Sequence, residues 1–169
     1  MSEVLKYRIG CPVWSCPHWR GSVYRRGAPR SDWLKAYSQI FPTVEGNSTF
    51  YGIPAAETFN RWAEETSHNF RFVLKFPRTI SHEHQLENVA AETDAFLAGL
   101  SILHQANRLG PSFLQLSPWF DPSKFDRLKR YLLQLPVQFP YAVEVRHPGF
   151  FEPPVEDELN AFLSENAID

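Results

Sequence analysis

The sequence predicts an α/β fold: a TIM-barrel-like repeat of βα units with parallel strands, incomplete at about five of the eight units such a barrel needs. Three observations predict it. Short apolar runs alternate with amphipathic stretches along the 169 residues, and strict β–α alternation requires helical crossovers between parallel strands. Each strand is apolar on one face only, whereas doubly wound sheets are apolar on both. Polar side chains also gather at the C-terminal ends of the strands, where barrel sites lie.

In chain order, the strand candidates are Tyr7–Cys11, Thr43–Asn47, Arg71–Phe76, Ser112–Leu116 and Tyr141–Arg146. Thr43, Glu45 and Asn47 oppose Val44 in the second. Arg71, Val73 and Lys75 oppose Phe72, Leu74 and Phe76 in the third. In the fifth, Ala142, Glu144 and Arg146 oppose Val143 and Val145. Helices are expected near Ser31–Ile40, Ala56–Thr66, Glu92–Asn107, Ser123–Leu135 and Pro154–Asn166. Ser31 and Ser123 suit N-caps, with Pro29 and Pro122 close by. Gly110-Pro111 should stop the third helix and Pro136 the fourth. Phe96, Leu100, Leu103 and Asn107 recur at helical spacing and predict one sheet-facing stripe. No Gly-x-Gly-x-x-Gly or Walker loop follows a strand, which removes the usual nucleotide reading of the doubly wound alternative.

Composition narrows the partners. A net charge of −2 argues against a general nucleic-acid binder, which needs a basic surplus. No apolar run approaches membrane-spanning length and no signal-peptide pattern opens the chain, so a cytoplasmic protein without membrane contact is expected. Cys11 and Cys16 are the only cysteines. Their spacing is neither a zinc ribbon nor a redox motif, and even with His18 beside them they read as reduced thiols.

The candidate site rests on the octet Val44-Glu45-Gly46-Asn47-Ser48-Thr49-Phe50-Tyr51. A strand that ends in a carboxylate, a carboxamide and two aromatic rings is not built for packing alone. Lys75, Gln115, Glu144 and Arg146 recur at the ends of later strands. Glu45 and Glu144 would serve as an acid/base pair facing one another across the barrel, and Lys75 and Arg146 as electrostatic stabilisers. The competing reading is a salt-bridge network that only fixes register. His82, after the third strand, is placed as a proton carrier, and His147, after the fifth, as a ligand contact. Asn47 and Gln115 would orient a ligand through their amides. Of the aromatic set Trp14, Trp19, Tyr24, Phe50, Tyr51, Trp119, Phe120, Phe150 and Phe151, the rings chosen for ligand contact are Trp14 and Tyr51; a loop mini-core is the alternative for the rest. Arg20, Arg25, Arg26 and Arg30 form a basic loop that reads as solvated. No metal is assigned, because Glu45, His82, Glu144 and His147 lack a ligand spacing. The cofactor is left open.

Gly10–Trp14, Trp19-Arg20-Gly21, Val44–Tyr51, Phe72–Lys75 with Thr79–His82, Leu109–Pro118 and Tyr141–His147 together resemble the YecE-like family, domain of unknown function 72. Ser81 departs mildly from a position where threonine is common in that family. The resemblance implies a TIM-barrel-like fold across residues 1–169 as a single domain. It implies no activity.

With five units present and Ala167-Ile168-Asp169 reading as the start of a sixth strand, the chain is expected to be C-terminally truncated. Open strand edges would then invite self-association. Three functional readings follow. One is an enzyme, a hydrolase or isomerase, acting on a small polar, sugar-like or phosphorylated molecule at the barrel mouth. Another is a non-catalytic binder of an anionic small ligand. The last is an inactive remnant.

Overall fold

The computed structural model describes residues 7–169. Four strands and six α-helices carry the fold: β1 (Thr43–Gly46), β2 (Arg71–Leu74), β3 (Ser112–Gln115) and β4 (Tyr141–Glu144), with α1 (Trp33–Ser38), α2 (Ser48–Tyr51), α3 (Ala56–Glu65), α4 (Ala90–Gln105), α5 (Phe125–Leu132) and α6 (Val155–Glu165). β1 pairs with β2 and β3 with β4, both in parallel. Parallel bridges Phe72↔Leu109 and Lys75↔Phe113 join the two pairs into one sheet in chain order. No closed barrel forms among the described residues. The fold is α/β with parallel strands.

The row continues at both ends through single contacts. At one end Cys11 bridges Val44. At the other, the Asp169 amide donates to the Tyr141 carbonyl and its carbonyl accepts from the Val143 amide. The expected first strand, Tyr7–Cys11, shrinks to that bridge at Cys11. Tyr7 and Ile9 stand exposed, so no burial holds the segment before it to the sheet. Where the segment does meet β1 it comes too close for a side chain, because a Cβ on Gly10 would collide with the Thr43 carbonyl.

Alternation along β2 and β3 separates two faces as expected, while Thr43 of β1, expected on the polar face, is buried. Val44, Phe72, Leu74, Phe76, Leu114 and Leu116 are buried beneath the helices. Trp62 of α3 stacks on Phe72 at 5.5 Å, and Phe96 of α4 meets Phe76 at 4.7 Å. α3 and α4 pack against each other at Gly99, where any Cβ would strike the Phe59 ring. On the other face Arg71, Val73, Lys75, Phe113 and Gln115 remain half-buried.

Several boundaries differ from the expectation for local reasons. Ser123 is not a cap: Asp121 is, accepting from the Ser123 amide at 2.9 Å. That bond and the Ser123 hydroxyl draw the Asp121 pKa down to about 2. Ser31 caps nothing either, its hydroxyl donating to Asp32 instead. Asn107 does not extend the apolar stripe of α4, because it adopts a left-handed φ of 55° that ends the helix before Gly110. The segment around His82, after β2, coils into a π-helical turn over Thr79–Glu83.

Candidate functional site

Register decides which polar groups meet. Gln115 lies opposite Glu144 across β3 and β4, and Lys75 opposite Phe113 across β2 and β3. The Lys75 ammonium donates to Gln115 Oε1 at 2.8 Å, and Gln115 Nε2 donates to Glu144 Oε2 at 2.7 Å. Only one orientation of that amide serves both neighbours, oxygen toward the cation and NH2 toward the carboxylate. Glu144 Oε1 in turn faces Arg146 Nε at 3.6 Å. Four predicted residues therefore form one polar row across three strand ends.

Lys75 is held from several sides. Its ammonium lies 4.4 Å from the centre of the Phe50 ring and 5.6 Å from that of Phe113, within cation–π range. Burial lowers its pKa and Arg146 lowers it further, while Glu144 and Glu45 pull it back up. The backbone is fixed by Thr49, fully buried, whose hydroxyl reaches the Gly46 carbonyl at 3.0 Å and the Lys75 carbonyl at 2.7 Å. That clamp explains why the octet turns straight from strand into α2. It also sets Phe50 over the row.

Glu45 and Asn47 form a second group. Asn47 Nδ2 donates to Glu45 Oε1 at 2.9 Å and to the Pro12 carbonyl at 3.3 Å. Glu45 stands on β1 and Glu144 on β4, with β2 and β3 between them in the sheet, and each carboxylate accepts from an amide, Asn47 or Gln115. Trp14 and Tyr51 line a hollow beside Glu45 and Asn47. Trp14 also does packing work, edge-on to Trp62 at 5.2 Å and to Phe72 at 6.2 Å. Tyr51 is 82% exposed and held edge-on by Phe50 at 5.2 Å.

The two histidines differ. His82 sits edge-on to Phe50 at 5.1 Å, with Nδ1 2.8 Å from the Ser81 hydroxyl. The Ser81 hydroxyl also lies 3.1 Å from the Pro77 carbonyl; when it donates there, His82 Nδ1–H donates to it and Nε2 is left as an acceptor. Burial lowers the His82 pKa, the charges of Lys75, Arg78 and Arg146 lower it further, and Glu83 opposes them. His147 is occupied with structure: its Nδ1 accepts from the Gly149 amide at 3.1 Å and caps the turn Pro148–Phe151.

Phe50, one ring among nine in the sequence reading, joins the two groups by touching Lys75, Tyr51 and His82. Its place next to the buried Thr49 in the octet is the signal that could have singled it out. Tyr24, Phe120 and Phe150 are buried and form loop cores, while Trp119 and Phe151 stay exposed. Arg20 and Arg30 lie over the Trp33 ring at 5.2 and 5.6 Å. Among the described residues no three His, Cys, Asp or Glu side chains are grouped closely enough to hold a metal ion.

Residues 8–169 match the family model "Protein of unknown function DUF72". This chain belongs to the DUF72 family. It is 40% identical over 161 residues to UPF0759 protein YecE of Escherichia coli K12, covering 95% of this chain and 56% of the relative. It is 29% identical over 148 residues to UPF0759 protein YunF of Bacillus subtilis 168, covering 84% of this chain and 52% of that one. The chain thus spans about half the length of the curated relatives it matches. Among solved structures, a DUF72 family protein of Enterococcus faecalis V583 superposes with a TM-score of 0.75 at 24% identity, over 96% of this chain and 58% of that one. A DUF72 protein of Thermotoga maritima MSB8 gives 0.71 at 23% identity, over 95% and 62%. At those identities the likeness is one of fold. No helix among the described residues is long and apolar enough to cross a membrane.

Proposed function

We propose that the strand-end row is the ligand site of a TIM-barrel-like enzyme, a hydrolase or isomerase, acting on a small polar molecule that carries an anionic group. Lys75 and Arg146 hold the anion; Glu45, Glu144 and His82 manage protons. The observation that carries this reading is Lys75 itself. Its ammonium is partly withdrawn from water over Phe50 and is tied to Glu144 only through an amide that a ligand oxygen can replace. A lysine meant only to neutralise Glu144 gains more from direct contact than through Gln115. In barrels, the C-terminal ends of the strands are where ligands bind.

One feature favours a binder without turnover. Glu45 and Glu144 are each engaged with an amide, Asn47 or Gln115, and have no carboxylate partner. The test is calorimetric titration of the purified chain with inorganic phosphate, beside a turnover screen on phosphate esters and glycosides. Phosphate binding weakened at least tenfold by Lys75→Met supports the anion site, and turnover lost in Glu144→Gln supports the enzyme. Phosphate binding that Lys75→Met leaves unchanged overturns both.

A further inference from the structure

Beside the polar row lies a hollow of about 190 Å³ lined by Pro12, Val13, Trp14, Glu45, Asn47 and Tyr51, among others. Drug-sized ligands occupy cavities of about 300–1,000 Å³, so this one has room for a single small ring. Its walls are of two kinds. Val13 and the rings of Trp14 and Tyr51 are apolar, while Glu45 and Asn47 supply oxygens and an amide on one side. Asn47 Nδ2 already serves Glu45 Oε1 and Pro12. Asn47 Oδ1 and Glu45 Oε2 make no hydrogen bond among the described residues and keep their acceptor capacity for a ligand.

That division matches a sugar. The C–H faces of a furanose or pyranose pack on aromatic rings, and its equatorial hydroxyls need acceptors at the rim. Tyr51 is suited to the first task because Phe50 and the Thr49 clamp hold a ring that is otherwise open to solvent. Phe50 is also the ring beneath the Lys75 ammonium, so one aromatic side chain separates the hollow from the cation.

We propose that the hollow between Pro12–Trp14 and α2 receives the ring of a sugar whose phosphate reaches Lys75, making the ligand class a sugar monophosphate. This rests on the anion-site reading above and adds the ring subsite to it. Hydroxyls donate to Glu45 and Asn47, and the ring lies against Tyr51.

The test compares inorganic phosphate, glucose, glucose 6-phosphate and ribose 5-phosphate by calorimetry on the purified chain and three variants. One sugar phosphate is expected to bind at least tenfold tighter than phosphate. Val13→Trp, which fills the hollow from an exposed position, should abolish that preference and leave phosphate binding intact, and Tyr51→Ala should remove the preference as well. Lys75→Met should weaken all anions. If phosphate and both sugar phosphates bind alike and neither hollow variant changes that, the ring subsite is refuted while the anion site stands. If no anion binds, both are refuted.

Discussion

The two faces of the sheet follow opposite physical rules within single strands. In β2, Phe72 and Leu74 are fully buried, while Arg71 and Val73, which alternate with them, stay half-open. The next pair repeats the contrast, Phe76 at 1% exposure beside the half-buried Lys75. On the helix side, stability comes from apolar area and ring packing. On the open side, neighbouring polar groups are kept in register and partly dehydrated. Stability and ligand chemistry are therefore separable by moving one residue along the chain.

The largest expected effect tests that separation directly. Phe76 touches Phe96, Tyr131 and Tyr141, and Phe76→Ala should cost about 3–5 kcal/mol through lost burial and an unfilled cavity. Lys75→Met, one residue away, should cost under about 1 kcal/mol. Urea denaturation of the two variants side by side gives the comparison. Equal losses would break it.

An intermediate effect belongs to the clamp between the faces. Thr49→Val keeps the shape but removes the hydroxyl that serves the Gly46 and Lys75 carbonyls. A loss of about 1–3 kcal/mol is expected, the penalty for the Lys75 carbonyl left without its donor, while the Gly46 carbonyl keeps the Lys75 amide. Weaker phosphate binding should accompany it, because the same contact positions Lys75 and Phe50. Unchanged binding in a destabilised variant would confine Thr49 to the fold.

The smallest effect is one of pH. The folded pKa of His82 lies below its ordinary 6.5, so as pH falls from 6.5 the unfolded chain takes up the proton first. Stability then declines until the folded pKa is passed, and the penalty is absent above 6.5. His82→Asn should flatten that part of the stability–pH curve. Parallel wild-type and variant curves between pH 5 and 6.5 would show that the site does not resist the imidazolium.

Much of this was legible because strand alternation is a local property. Phe72, Leu74 and Phe76 declare a buried face from sequence alone, and Lys75, Gln115 and Glu144 declare the other. The caps were less legible. Asp121 and Ser123 both suit an N-cap chemically, and the backbone geometry around Pro122 chose Asp121. Asn107 carried helical spacing, yet its tolerance of a left-handed φ made it the stop. The short α2 and the turn over Thr79–Glu83 carry too few residues to show a period.

Periodicity and residue type by themselves determined the α/β class, the strand faces and the polar strand ends, and the quoted motifs carried the resemblance to the family. Tertiary structure alone decided which polar groups touch. Lys75 meets Gln115, and Gln115 meets Glu144, because the parallel register aligns residues distant in sequence. Glu45 meets Asn47 because the chain turns from β1 straight into α2 and brings the amide back over the carboxylate. Phe50 became the centre of the site through the buried hydroxyl of Thr49, three residues past β1, which bridges the Gly46 and Lys75 carbonyls.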